Sequence, residues 1–222
     1  MKILELFSGT QSISKRFKEA GHEVFTVELS EQFKDISSLT MSVLDLTPEM
    51  ILEQFGRPDV IWASPPCEKF SIASCSHHWI REEDGTLIPR HEGAILAQDL
   101  VKHTLWLIEE LQPTVYFIEN PRGMLRKMPF MEEANERGRH TVTYCQYGDN
   151  RMKPTDLWTN HPDPQFKPTC KRATKTYTPT CHEPAARGSK TGTQGRKSYR
   201  ERSMIPAELG DHIVKISEEV VK

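Results

Sequence analysis

Along the first 120 residues, apolar side chains follow two alternating periods. Short stretches rich in apolar residues at 3–7, 23–29, 40–44, 60–63 and 114–118 read as strands, those at 3–7 and 114–118 as buried ones. Between the runs, apolar residues recur every three or four positions. Ile13, Phe17 and Ala20 predict a helix over 11–20 that stops at Gly21. Thr47 is placed to cap a second helix reaching 55, with Pro48 at its first position and Glu49 in its first turn. Leu96, Leu100, Leu107 and Leu111, with Trp106, predict a long helix over 95–111. Strands separated by helices predict an α/β fold, a mostly parallel central sheet covered on both faces.

The second half is patterned differently. Residues 141–146 and 156–159 predict two strands, paired as a hairpin around 148–154. Regularity then fails over 161–202. That stretch holds Pro162, Pro164, Pro168, Pro179 and Pro184, with Gly188, Gly192 and Gly195, and few apolar residues. It reads as a long loop, a small irregular subdomain or a segment that orders on binding. Leu209, Ile213, Ile216 and Val220 predict a last helix over 206–221. The expected organisation is a core at 1–160, an irregular segment at 161–202 and a helix at 203–222 that returns to the core.

Charge sharpens this division. The net charge is −2, but residues 165–202 carry ten Lys/Arg and two Glu, a balance of +8. The rest of the chain stands at −10. A basic block on an acidic body suggests a polyanionic partner such as nucleic acid. No apolar run approaches the roughly 18–20 residues of a membrane span. The amino terminus, broken by Glu5, reads as a strand and not a signal peptide, which predicts a cytosolic protein. Five scattered cysteines argue against a disulfide framework.

Three motifs carry candidate chemistry. In Leu6-Phe7-Ser8-Gly9-Thr10-Gln11-Ser12-Ile13 a strand enters a small-residue turn and then a helix, whose free N–H groups suit a ligand. Glu28 follows at the end of the next strand, where an acid can accept both ribose hydroxyls of an adenosine cofactor. Asp45 is placed to accept an adenine amino group. In Ser64-Pro65-Pro66-Cys67, two prolines direct a thiol at the carboxyl edge of a strand. In Glu119-Asn120-Pro121 an acid emerges from an apolar strand, suited to share a proton with a substrate. Cys145 reads as a core residue. Cys75, His77 and His78 match no common zinc spacing. Cys170, Cys181 and His182 supply only three ligands unless His161 joins them, so no metal is expected.

Taken together and in this order, the motifs resemble the DNA (cytosine-5)-methyltransferase family, in a short form like those of phages and prophages. The resemblance covers residues 3–160, ending at Tyr147-Gly148 and the basic residues after it. Pro-Pro-Cys with Glu-Asn-Pro is its specific part, because amino-methylating relatives place an aromatic residue where Cys67 stands. It implies a Rossmann-like S-adenosylmethionine-dependent methyltransferase fold with a small irregular basic subdomain. The implied activity is methylation of C5 in a flipped-out cytosine of double-stranded DNA through a covalent Cys67–C6 intermediate.

The resemblance also implies residue roles. Glu119 would hold N3 and the 4-amino group of the base. One of Arg151 and Lys153 would reach its O2 or a phosphate. Cofactor contacts are implied at Phe7, Ser8, Gly9, Thr10, Ser12, Ile13, Glu28, Asp45, Leu46, Pro65 and Ser203. DNA contacts are implied at Ser71, Trp79, Arg81, Arg122, Lys171, Arg172, Lys175, Arg196, Lys197, Arg200 and Arg202. The protein would act as a monomer in the cytoplasm of a bacterial or phage-infected cell, apart from any membrane. Two departures stand out. The target-recognition region is short, and the usual Gly-Asn-Ser before the last helix is Glu201-Arg202-Ser203. Arg202 opens a different reading, a C5-alkyltransferase whose donor carries an extra carboxylate, carboxy-S-adenosylmethionine. An RNA substrate also stays open, as does a catalytically degenerate DNA-binding protein that retains the fold.

Overall fold

The apolar runs pair edge to edge in a computed structural model that describes residues 1–72, 75–171, 180–183 and 198–221. The strands are β1 (Lys2–Leu6), β2 (Glu23–Glu28), β3 (Leu39–Thr40), β4 (Val60–Ala63), β5 (Trp79–Arg81), β6 (Leu87–Pro89), β7 (Val115–Pro121), β8 (Arg139–Thr143) and β9 (Pro154–Thr159). Seven form one sheet in the order β3-β2-β1-β4-β7-β9-β8. Its pairs are parallel except those of β9, which runs antiparallel to both neighbours. The remaining two, β5 and β6, make an unpredicted hairpin in the loop after Cys67.

Helices cover both faces, as the two apolar periods predict. Alternate strand residues Ile3, Val60, Trp62, Val115 and Phe117 pack with Phe17 of α1 (Ser14–Glu19). Leu4, Leu6, Ile61, Ala63 and Ile118 face the other way. They meet Ile51 of α2 (Pro48–Gln54) and, beyond the short α3 (Cys75–His78), Val101 and Leu107 of α4 (Glu92–Leu111). After α5 (Glu132–Gly138) and α6 (Tyr199–Ser203), the last helix α7 (Ala207–Val220) adds Leu209 and Ile213 to the α1 face. Gly210 allows this approach, since a Cβ there would lie 2.6 Å from Cγ of Arg16.

Several boundaries differ from the sequence reading, each for a local reason. Helix α1 starts at Ser14, not 11, because Gln11 has φ +58° and turns the chain first. The third strand is cut short by a 3₁₀ turn over Val43–Asp45, capped by the Ser42 hydroxyl. Residues Tyr144–Tyr147 form a 3₁₀ turn and not the end of a strand. Helix α4 buries Ala94, Ala97, Val101, Thr104, Ile108 and Leu111, whereas Leu96 and Trp106 are half exposed. Small residues fill the first half of the buried stripe and Leu107, Ile108 and Leu111 the second.

This topology fixes where a ligand can sit. Strand order reverses between β1 and β4, so the loops leaving their carboxyl ends diverge and open a crevice. Because β9 is antiparallel, its first residues reach the same edge. No described helix is long and apolar enough to cross a membrane.

Candidate active site

The loop after β1 takes an unusual path. Phe7 (φ +58°), Gly9 (+45°) and Gln11 (+58°) all occupy the left-handed region, costly for the two non-glycine residues and a mark of functional loops. A Cβ on Gly9 would meet nothing within 4 Å, so its open side faces the crevice. Glu28 holds the loop: Oε2 accepts from the Gly9 N–H (2.8 Å) and Oε1 from the Ser30 N–H (2.9 Å). Beneath the loop, Glu5 is fully buried and accepts from both the N–H (3.0 Å) and the hydroxyl of Ser14. Burial pushes its carboxyl up to about 7, against the pull of the Ser14 hydrogen bonds. Sequence reasoning missed Glu5 as a site residue. Its signal was an acid inside an otherwise apolar buried strand.

The crevice encloses about 550 Å³. Phe7, Val27, Leu29, Phe33 and Leu100 give it apolar walls, and Ser8, Gly9, Thr10, Ser12 and Glu28 give it a polar end. The Ser8 hydroxyl is buried on this wall without a hydrogen-bond partner, an acceptor or donor left for a ligand. Size, apolar walls and convergent polar groups fit a nucleoside-containing cofactor.

The opposite wall belongs to Pro65, Cys67, Glu119 and Lys153. Asn120 ties the two motifs together, donating from Nδ2 to the Pro65 carbonyl (3.0 Å). Cys67 begins a 3₁₀ turn over Glu68–Phe70 and its carbonyl accepts from the Phe70 N–H (3.1 Å). Gly123 is required behind it, since a Cβ there would collide with the Phe70 carbonyl oxygen. Glu119 is buried, accepts from the Tyr144 hydroxyl (2.8 Å), and lies 3.9 Å from the Lys153 ammonium. Lys153 also stands over the Tyr144 ring, 4.6 Å from its centre, from a backbone held at φ +24°. Burial and then the Glu119 carboxylate push the Cys67 thiol above its ordinary range, while Lys153 pulls it down. Burial and Glu119 also push Tyr144 well up, which keeps it a neutral donor.

The structure brings most expected cofactor residues to this cavity: Phe7, Ser8, Gly9, Thr10, Ser12, Glu28, Pro65 and Ser203. Three lie elsewhere. Ile13 and Leu46 are wholly buried in the two cores, and Asp45 is exposed, while Ser42 and Val43 line the cavity in their place. Of the two expected cations, Lys153 lines the cavity and Arg151 does not. Arg151 is 2% exposed, paired with Asp149, and donates to the carbonyls of Glu201 (3.3 Å), Arg202 (3.1 Å) and Met204 (3.1 Å). It pins the carboxy-terminal segment against the cavity rim.

Among the expected DNA contacts, Trp79 is corrected. It is buried, stacks on Phe70 (5.5 Å between centres) and donates to the Lys69 carbonyl (2.6 Å), so it braces the loop. Ser71, Arg81, Arg122 and Lys171 are exposed. Arg200 and Arg202 line the cavity, with Arg200 5.9 Å from the Phe33 ring centre. Arg172, Lys175, Arg196 and Lys197 lie outside the described residues. The ligand count behind the expectation of no metal also meets a correction. His161 spends both nitrogens on the Ile216 carbonyl and the Asp163 N–H, but Cys145 converges with Cys170, Cys181 and His182.

Sheet order, glycine turn and crevice define the class, a Rossmann-like fold of the S-adenosylmethionine-dependent methyltransferases. A crystal structure described as a "putative DNA modification methyltransferase encoded within prophage Cp" (E. coli) superposes with a TM-score of 0.51 at 18% identity. It covers 72% of this chain and 46% of that one. The chain belongs to the C-5 cytosine-specific DNA methylase family, whose profile matches residues 1–130. It is 32% identical over 168 residues to the "Probable DNA (cytosine-5)-methyltransferase" of Frog virus 3 (isolate Goorha), across 72% of this chain and 71% of the relative. It is 26% identical to the "Type II methyltransferase M.FnuDI" of Fusobacterium nucleatum, across 57% of this chain and 34% of that protein. The chain thus spans less than half the length of both M.FnuDI and the crystallised prophage protein.

Proposed function

We propose that the protein methylates C5 of cytosine in double-stranded DNA, with Cys67 as nucleophile and S-adenosylmethionine as donor. The carrying observation is that Cys67, Glu119 and Lys153 share one cavity with the glycine turn and Glu28. When bound, S-adenosylmethionine supplies an electrophilic methyl group on its sulfonium. Glu28 and the open face of Gly9 would hold its ribose end, and the Ser8 hydroxyl would gain the partner it lacks. Cytosine C5 is a weak nucleophile until C6 is attacked. The Cys67 thiolate would add to C6, making C5 an enamine carbon that takes the methyl group. Glu119, oriented by Tyr144, would hold N3 and the 4-amino group while charge develops on the ring. Lys153 would favour the Cys67 thiolate and approach O2 of the base. Loss of the C5 proton to water and expulsion of the Cys67 thiolate would restore the aromatic ring. The base must leave the stack to reach a thiol inside a crevice.

Bisulfite sequencing of DNA from cells expressing the protein tests this reading. Protected cytosines at a recurring short site support it, and complete conversion contradicts it. The position of Arg202 on the cavity wall favours one second reading, a donor bearing an extra carboxylate. Binding of S-adenosylmethionine and its carboxylated analogue to wild type and Arg202→Asn separates the two; equal indifference to the substitution removes the second.

A further inference from the structure

Outside the crevice, four metal-binding side chains converge at the root of the basic segment. Cys145 lies on the 3₁₀ turn after β8, buried at 7% exposure. Cys170, Cys181 and His182 come from the irregular segment. The Cys170 and Cys181 sulfurs are 3.2 Å apart, and Nδ1 of His182 lies 3.6 Å and 3.4 Å from them. All four ligand atoms lie within 4.8 Å of one another. A zinc ion with bonds of about 2.3 Å to sulfur and 2.0–2.1 Å to nitrogen needs tetrahedral edges of roughly 3.5–3.8 Å, within reach of this cluster.

We propose that Cys145, Cys170, Cys181 and His182 hold a structural zinc ion that staples the basic segment to the catalytic core. The donor set, three sulfurs and one imidazole, is one of the closed tetrahedral sets used for structural zinc. Binding exchanges three thiol protons, released to solvent, for three zinc–sulfur bonds. A Cys170–Cys181 disulfide would leave Cys145 and His182 without a role, whereas a metal uses all four. The surroundings are built to keep the ligands in place. The Cys170 N–H donates to the Thr143 hydroxyl (2.8 Å), the Glu183 N–H to the Asn150 carbonyl (2.9 Å), and the Gln146 amide faces Cys181 Sγ at 3.8 Å. A segment with few apolar residues cannot stabilise itself by burial, and a metal is a common substitute for a core.

The stapled stretch is the charged one. Lys171, Arg172 and Lys175 lie between the ligands Cys170 and Cys181, and Arg187, Lys190, Arg196 and Lys197 follow His182. Zinc would therefore tie the ends of the sequence stretch that holds the first of these cations to the catalytic core. This consequence, unlike the site itself, rests on reading the basic segment as the DNA contact.

The test is metal content of the full-length protein, purified without a histidine tag from zinc-supplemented cells. Mass spectrometry of metals should find about one zinc per chain. Cys181→Ser and His182→Ala should lose it, and Cys75→Ser should keep it. Because a ligand loss can unfold the segment, His182→Cys is the conservative variant. It should retain the metal and alter the visible absorption of the cobalt-substituted protein toward an all-thiolate site. Zinc below about a tenth of stoichiometry with no thiolate–cobalt absorption would overturn the proposal. So would a Cys170–Cys181 disulfide in the purified protein, or undiminished zinc in Cys181→Ser. None of these readings needs DNA or donor, so their failure leaves the methyltransferase assignment standing.

Discussion

A thiol raised by burial and by a neighbouring carboxylate is mostly protonated at neutral pH, yet the proposed reaction uses the thiolate. The rate should therefore climb with pH as Cys67 deprotonates. Lys153→Met removes the cation that opposes Glu119, so its alkaline limb should move to higher pH and its rate near neutrality should fall by about tenfold or more. A pH–rate profile of both proteins checks this, and superimposable limbs would contradict it. Glu5 makes the opposite kind of prediction, about stability. Its folded carboxyl titrates near 7 against an ordinary 4.5, so the folded state holds the extra proton between those values. The contribution is most favourable at low pH and is lost as pH rises through 7, on the order of 3 kcal/mol. Urea denaturation at pH 5 and pH 8 should show this loss in wild type and a much flatter dependence in Glu5→Gln.

At the scale of elements, antiparallel β9 carries the polar load that fastens the sheet's far edge. Asp156 is wholly buried, bound by the Arg126 guanidinium (Nε to Oδ2, 2.7 Å) and the Thr141 hydroxyl (2.8 Å). Arg126→Met should cost about 3 kcal/mol, because it strands a buried charge. The urea midpoint should fall with little change in slope, and adding Asp156→Asn should recover part of the loss. Strands were legible from sequence because buried parallel strands are mostly apolar, and the Pro-Pro-Cys and Glu-Asn-Pro motifs sit at strand ends where a parallel sheet builds its sites. Other residues were not, because their roles depend on partners far away in the chain. Arg151 resembled Lys153 until carbonyls some fifty residues on claimed its guanidinium. Trp79 looked like a groove contact until Phe70 buried it. Cys145 read as core because its three companions are remote and follow no familiar spacing.

For the whole molecule, an acidic body carrying the crevice is joined in sequence to a basic segment, which under the proposed function would bring the DNA to it. Deleting 167–200 should weaken DNA binding by at least tenfold at low salt and flatten its salt dependence, with a smaller effect on donor binding. Fluorescence anisotropy across a salt series and donor calorimetry measure the two; unchanged DNA affinity would refute the role of the segment. The central claim concerns one sulfur atom. Duplex oligonucleotides containing 5-fluorocytosine at the methylated position trap the adduct, since fluorine at C5 cannot leave as a proton does. Incubated with S-adenosylmethionine, wild type should form a denaturation-resistant complex whose proteolysis maps the nucleotide to Cys67, and Cys67→Ser should bind the duplex without forming it. A complex mapped to any other residue, or methylation of ordinary cytosine by Cys67→Ser, would contradict the account.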